Sequence, residues 1–187
     1  MSEIRIEEWR PAGPGSPSVE RDVDVLGEVL HAVVQGGAGV SFFVPFSREE
    51  ARAFWRETVL PGVLAGTRRV VVARREGRIV GTAQLVLAMP PNQRHRADVV
   101  KLLVHPSARR RGLARALMTE LEKVALAEGR TLLTLDTVTG SSAELLYRSL
   151  GYVTVGVIPG YARAALTPEL EAATILYKEL APVRGKS

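Results

Sequence analysis

The 187-residue sequence contains no cysteine. Disulfides, thiolate-bound metals and a cysteine nucleophile are therefore excluded. Aromatic residues are scarce, at 5% of the chain, with four Phe, four Tyr and two Trp. They do not alternate with basic residues, so the sequence lacks the stacking-plus-cation stripe of a nucleic-acid binder, and no nucleic-acid partner is expected. No apolar run approaches the ~20 residues that span a bilayer, and no membrane partner is expected. The start, Met1-Ser-Glu-Ile-Arg-Ile-Glu-Glu-Trp9, has no basic segment followed by an apolar one. No secretory signal is expected, and the cytoplasm is the expected compartment. The three histidines, His31, His95 and His105, are too scattered for a metal motif.

What is present is a globular composition: 46% hydrophobic and 24% charged residues, with a formal net charge of +5. The length fits one domain over residues 1–187, with a strand and a Pro/Gly/Ser-rich loop over 1–18 and a flexible tail over 181–187. Ile4–Trp9 reads as a strand. Val23, Leu26, Leu30 and Val33–Val34 are spaced for a helix over 19–34, ended by Gly36-Gly-Ala-Gly39. Ser47-Arg-Glu-Glu50 is a capping box, so a second helix starts there and stops near Pro61, with room for another turn to Gly66. Val70–Ala73 and Ile79–Ala88 form a hairpin turning at Gly77. Then come a strand over 98–104, a helix over 112–128 closed by Gly129, a strand over 131–137 and a helix over 141–150 ending at Gly151. Strands over 152–158 and 174–180 follow, separated by a long loop over 160–173. This order predicts an α/β fold (of the α+β type) with a mixed sheet.

The most informative stretch is Ala97–Met118. An apolar run ends at Pro106, a basic turn with Gly112 follows, and a helix begins at once. The first N–H groups of a helix lack intrahelical partners, and its N-terminus is partly positive, so such a turn holds a phosphate. It matches neither of the two familiar glycine-rich phosphate loops. It does match Arg/Gln-x-x-Gly-x-Gly/Ala, as Arg109-x-x-Gly112-x-Ala114. Downstream, Ser142-Ala-Glu-Leu-Leu-Tyr-Arg-Ser-Leu-Gly-Tyr152 matches Ala-x-x-Leu-Tyr-x-x-x-Gly-Phe/Tyr, with one strand between the two motifs.

In this ordered pair the chain resembles the GNAT family of N-acetyltransferases. Lys101-Leu-Leu-Val-His-Pro-Ser-Ala-Arg109, Thr134-Leu-Asp-Thr-x-x-Gly-Ser141, Val155-Gly-Val-Ile-Pro-Gly-Tyr161 and Gly36-Gly-Ala-Gly-Val-Ser-Phe42 are similar to its tabtoxin-resistance branch, which acetylates a β-lactam amino-acid toxin. The resemblance spans roughly residues 35–180. It implies a mixed, mostly antiparallel central sheet of about six to seven strands, flanked by helices and opened between two strands where acetyl-CoA binds as co-substrate. It also implies an acetyl-CoA-dependent N-acetyltransferase acting on a primary amine of a small molecule, of the amino-acid-like or antibiotic/toxin kind, with antibiotic resistance as a biological role. A protein lysine or N-terminal acetyltransferase and a non-catalytic acyl-CoA-binding module are the alternatives.

The resemblance places Tyr147 as the acid that protonates the leaving thiolate, since an alkyl thiol and a phenol have comparable pKa values near ~9–10. Asp136 is either the group that accepts the amine proton or holds the ammonium, or a cap of the following turn. Backbone groups of Leu102, Leu103 and Val104 are expected along the pantetheine. Arg109, Arg110, Arg111, Gly112, Leu113, Ala114 and Arg115 are expected at the phosphates, and Ser142 also on the cofactor. Gly36–Gly39 is either a backbone nest for substrate or simply a helix-ending loop. A monomer and a homodimer are equally compatible with the sequence.

Overall fold

The computed structural model describes residues 3–180; the expected tail over 181–187 lies outside them. β1 (Ile4–Glu8) leads to α1 (Pro17–Gln35), which begins with Pro17 in its first turn, where the missing N–H is not needed. The capping box at Ser47 is formed: the Ser47 hydroxyl accepts from the Glu50 N–H, and the Glu50 carboxylate accepts from the Ser47 N–H. It starts α2 (Arg48–Ala53), which continues through a π-helical turn, Phe54–Val59, into α3 (Leu60–Leu64). The helix therefore runs past Pro61. The wide turn re-registers the chain so that Pro61 falls in the first turn of a new α-helical segment. α1 and α2 approach closely at Gly27, where a Cβ would stand 2.8 Å from the Arg52 Cγ.

β2 (Arg68–Arg75) and β3 (Arg78–Val86) form the expected hairpin, with both turn residues, Glu76 and Gly77, at positive φ. β4 (Arg96–Val104), α4 (Leu113–Ala127) and β5 (Leu132–Val138) make a strand–helix–strand crossover, and α5 (Ser142–Ser149) follows. The last two strands are longer than the sequence implies: β6 (Val153–Arg163) and β7 (Leu170–Glu179) leave only Ala164–Glu169 between them, closed by a bond from the Ala164 N–H to the Glu169 carbonyl. The expected loop over 160–173 is thus mostly strand.

The seven strands lie in the order β1-β2-β3-β4-β5-β7-β6. All neighbours are antiparallel except β4 and β5. One face of the sheet buries α1 and the α2–α3 helix around Trp55, Leu26, Val70, Val72 and Leu103. The other buries α4 and α5 around Leu117, Leu121, Leu133 and Tyr147. No helix among the described residues is long and apolar enough to cross a membrane.

Two irregularities in β4 shape the centre of the sheet. β4 pairs with β5 only from Arg96 to Asp98, opposite Leu132 to Thr134. On its other side β4 carries one extra residue: Thr82 and Gln84 of β3 face Leu103 and Val100, so Lys101 and Leu102 together oppose Ala83. Lys101 takes a φ of +54° at this bulge.

Candidate active site

Where β4 and β5 part, a cleft of about 610 Å³ opens. Its walls are the β4 edge from Val99 to Val104, the turn into α4, the end of β5, the start of α5 and the loop after α1. Of the residues singled out from the sequence, Tyr147, Asp136, Leu102, Leu103, Val104, Arg109, Arg110, Gly112, Leu113, Ala114, Arg115 and Ser142 all line it. Arg111 does not; it is exposed beside the turn.

The β4 edge faces the cleft with no β5 partner beyond Asp98, so its backbone groups are available to an extended ligand. The Leu103 side chain is buried in the core on the α1 face, and Leu102 and Val104 pack against the core on the other. These residues therefore offer the cleft their main chain. The turn that follows is built for an anion. Arg110 and Gly112 have φ of +62° and +76°, and Gly112 caps α4. The first helical bond runs from the Ala116 N–H to the Gly112 carbonyl, leaving the N–H groups of Leu113, Ala114 and Arg115 without helical partners. A Cβ built on Gly112 would meet nothing within 4 Å. Arg109 folds back, its Nε donating to the Val104 carbonyl at 3.2 Å.

At the other end, α5 is capped by Ser141, whose hydroxyl accepts from the Glu144 N–H at 3.2 Å. The cap is therefore not Asp136, which is exposed inside β5 and lines the cleft. Tyr147, one turn into α5, is buried against the α4 core yet reaches the cleft. Burial first, and the negative charge of Asp136 second, push its phenol well above the ordinary value. The phenol therefore keeps its proton at neutral pH, and the close match with a thiol expected from free amino acids is replaced by a weaker, buried acid.

The glycine segment after α1 ends the helix and also borders the cleft. Gly36 caps the helix and Gly37, at φ +83°, reverses the chain, while Gly36–Ser41 lines the cleft. The β6–β7 hairpin leans on this loop: the Val44 N–H donates to the Ala165 carbonyl at 2.8 Å, and Arg163 stacks 4.3 Å over the Phe43 ring. Lys101 was not singled out from the sequence as a site residue. Its ammonium donates to the Ser41 hydroxyl at 2.9 Å and lies 5.6 and 5.8 Å from the rings of Phe42 and Phe54. Lys101 opens one of the blocks that carry the resemblance, but the bulge that places it at the cleft is defined by the facing strand and is not legible in that block.

A mixed sheet parted at its parallel pair, with the unpartnered N–H groups of α4 at the mouth, defines an α/β architecture whose cleft is open to an extended ligand. Residues 38–152 match the acetyltransferase (GNAT) family, and the chain belongs to it. An uncharacterised N-acetyltransferase encoded in the hisH–hisA intergenic region of Azospirillum brasilense is 36% identical over 118 residues, 62% of this chain and 67% of that protein. The fold is that of an N-acetyltransferase from Staphylococcus aureus Mu50, with a TM-score of 0.77 and 16% identity over 96% of this chain and 100% of the other. It is also that of yncA from Salmonella typhimurium, solved with its cofactor acetyl-CoA, with a TM-score of 0.74 and 17% identity over 98% of each chain.

Proposed function

We propose that this acetyltransferase moves the acetyl group of acetyl-CoA to a primary amine of a small molecule, with residues 1–187 acting as one N-acetyltransferase domain. The observation that carries this reading is the convergence of the unpaired β4 edge, the α4 N-terminus, Tyr147 and Asp136 on one cleft. The open space over Gly112, which a Cβ would occupy, suits a pyrophosphate against bare backbone. Leu102, Leu103 and Val104 pair with the amides of the pantetheine as an added strand would. Leu113, Ala114 and Arg115 donate N–H groups to the pyrophosphate, and Arg109, Arg110 and Arg115 supply positive charge around it; Ser142 lies on the cofactor side of α5.

Bound acetyl-CoA supplies an activated acyl thioester. Asp136 takes the proton that the amine loses as its nitrogen bonds to the acyl carbon, directly or through water. Tyr147 gives its phenolic proton to the sulfur as the carbon–sulfur bond breaks, and regains one from the Asp136 side. The β6–β7 hairpin packs on the loop after α1 and contributes Glu171 to the cleft wall, so that loop and hairpin border the acceptor together. The blocks around Lys101, Asp136, Gly160 and Gly36 support a place beside the tabtoxin-resistance branch, with a toxin or antibiotic amine among its substrates. The cysteine-free chain suits a reducing compartment, and we place the reaction in the cytoplasm.

The test is release of CoA thiol from acetyl-CoA across amino acids, β-lactam amino acids, aminoglycosides, polyamines and short peptides. The protein has no thiol of its own to add background. Turnover on one class of free amine is expected. Turnover on peptides alone would replace the small-molecule reading, and binding of acetyl-CoA without turnover on any amine would replace the catalytic one.

A further inference from the structure

Asp136 and Tyr147 serve an acceptor amine, yet the cleft wall already carries an amine of its own, that of Lys101. The bulge in β4 gives Lys101 a φ of +54° and sets it on the same wall as those two residues. The side chain is half-buried. Its ammonium donates to the Ser41 hydroxyl at 2.9 Å and lies 5.6 and 5.8 Å from the ring centroids of Phe42 and Phe54. The negative charge of Asp136 acts on it from beyond ion-pairing distance. An amine is thus held close to the carboxylate that receives the acceptor's proton.

The sequence has four lysines, Lys101, Lys123, Lys178 and Lys186. Lys123 and Lys178 are ion-paired to Glu120 and Glu122 at 2.8 and 2.7 Å and do not line the cleft. Lys186 lies outside the described residues. Among the described residues, Lys101 has no carboxylate partner. Burial, then repulsion by Arg68, push its ammonium down to about 8 from an ordinary 10.5, and Asp136 opposes this. Arg68 is tied to the neighbouring strand by a bond from its Nη1 to the Gln84 Oε1 at 2.5 Å. About one Lys101 side chain in ten is then neutral at pH 7, against about one in 3,000 for a lysine at the ordinary value. Only the neutral amine has a lone pair free to bond to carbon.

We propose that Lys101 is itself an acetyl acceptor, modified by the enzyme's own chemistry when acetyl-CoA is bound and no acceptor amine fills the cleft. Lys101 gives its ammonium proton to water, and its nitrogen bonds to the acyl carbon as the carbon–sulfur bond breaks. Tyr147 protonates the departing sulfur. The proton that the nitrogen sheds on bonding passes to Asp136, which returns it to Tyr147, and the products are Nε-acetyllysine and CoA. This needs acetyl-CoA seated along β4, and no particular acceptor. Acetylation removes the cation beside Phe42 and Phe54 and adds an acetyl group within the cleft, so the modified enzyme is expected to turn over more slowly. An acceptor amine and Lys101 compete for the same acyl group.

The experiment incubates the wild type with acetyl-CoA and no amine, and follows intact mass and peptide maps over time. One acetyl group is expected on Lys101, with Lys123, Lys178 and Lys186 modified at least about 10-fold more slowly, since only Lys101 is held beside the reacting groups. Excess free CoA, seated in the same cleft, should suppress the modification of Lys101 and not that of the other lysines; this comparison needs no variant to fold. Tyr147→Phe should slow it by about 10-fold or more. Lys101→Arg should lack it while the other lysines behave as in the wild type. Equal labelling of all four lysines overturns the inference, as does labelling of Lys101 that neither free CoA nor Tyr147→Phe slows, since both mark uncatalysed acetylation from solution. A wild type whose melting temperature rises with acetyl-CoA but whose Lys101 stays unmodified overturns this inference alone. One whose melting temperature does not rise overturns it together with the placement of acetyl-CoA in this cleft.

Discussion

The Tyr147 and Tyr152 rings pack with centroids 5.6 Å apart and planes inclined at 60°, and the Tyr152 N–H donates to the Tyr147 carbonyl at 3.1 Å. Tyr147 is thus positioned by its ring and backbone, and the place of its hydroxyl follows from that packing.

Tyr147→Phe therefore retains the ring contacts and removes only the hydroxyl. The thermal midpoint is expected to move by no more than about 2–4 °C, which corresponds to about 1 kcal/mol at this chain length. Turnover followed by CoA release is expected to fall by about 10²- to 10⁴-fold, the usual contribution of a positioned acid. A variant that folds and keeps more than about a tenth of wild-type kcat removes Tyr147 from the proton-transfer step.

Gly112→Asp probes the other end of the cleft. The position has a φ of +76°, so a side chain there costs about 1–2 kcal/mol of backbone strain, but it meets no neighbour. The aspartate should fold and fill the space above the α4 N-terminus with a negative group. Acetyl-CoA is expected to raise the melting temperature of the wild type and not of the variant. An equal rise in both proteins places the phosphates elsewhere.

Lys101 also marks the pH dependence of stability. Its ammonium titrates near about 8 in the folded protein against an ordinary 10.5. Between those values the unfolded chain holds the extra proton, so this group makes the fold more stable as pH rises from about 8 toward 10. Above 10 the raised phenols of Tyr147 and Tyr152 act in the opposite sense, since they ionise first in the unfolded chain. Urea unfolding from pH 7 to 10 should show Lys101→Met lacking the rise seen in the wild type, and more stable than it at pH 7. Parallel curves for the two proteins would mean that Lys101 is solvated.

Much of this was legible because it is local. The capping box at Ser47, the Glu76–Gly77 turn, the periodicity of α1 and α4 and the glycines after them act within a few residues of chain, and each stands where the sequence puts it. Leu102, Leu103, Val104, Arg109, Arg110, Gly112, Leu113 and Ala114, together with Tyr147 and Asp136, line one cleft, while Arg111 lies outside it. What was not legible is non-local. Residues 160–173 read as a loop, yet β6 continues through Gly160 to Arg163 as an edge strand whose pairing with β7 shifts register between Ile158 and Ala162. The bulge at Lys101 depends on β3, a neighbour far away in sequence. Arg68 and Gln84 carry no motif at all; only the sheet brings them beside Lys101.

The extra residue in β4 does more than bend the strand. Up to the bulge, the even-numbered positions Asp98 and Val100 share the α1 face of the sheet; beyond it, that face belongs to Leu103. β4 thus switches phase midway, and Lys101 is the residue at which it switches. The strand can absorb many exchanges of one side chain for another without disturbing this arrangement. It is far less able to absorb a change in length, since losing or gaining one residue on either side of Lys101 would invert which half of the strand faces which layer. Natural variation in β4 is therefore expected as substitution at constant length, while insertions and deletions collect in the connections around it.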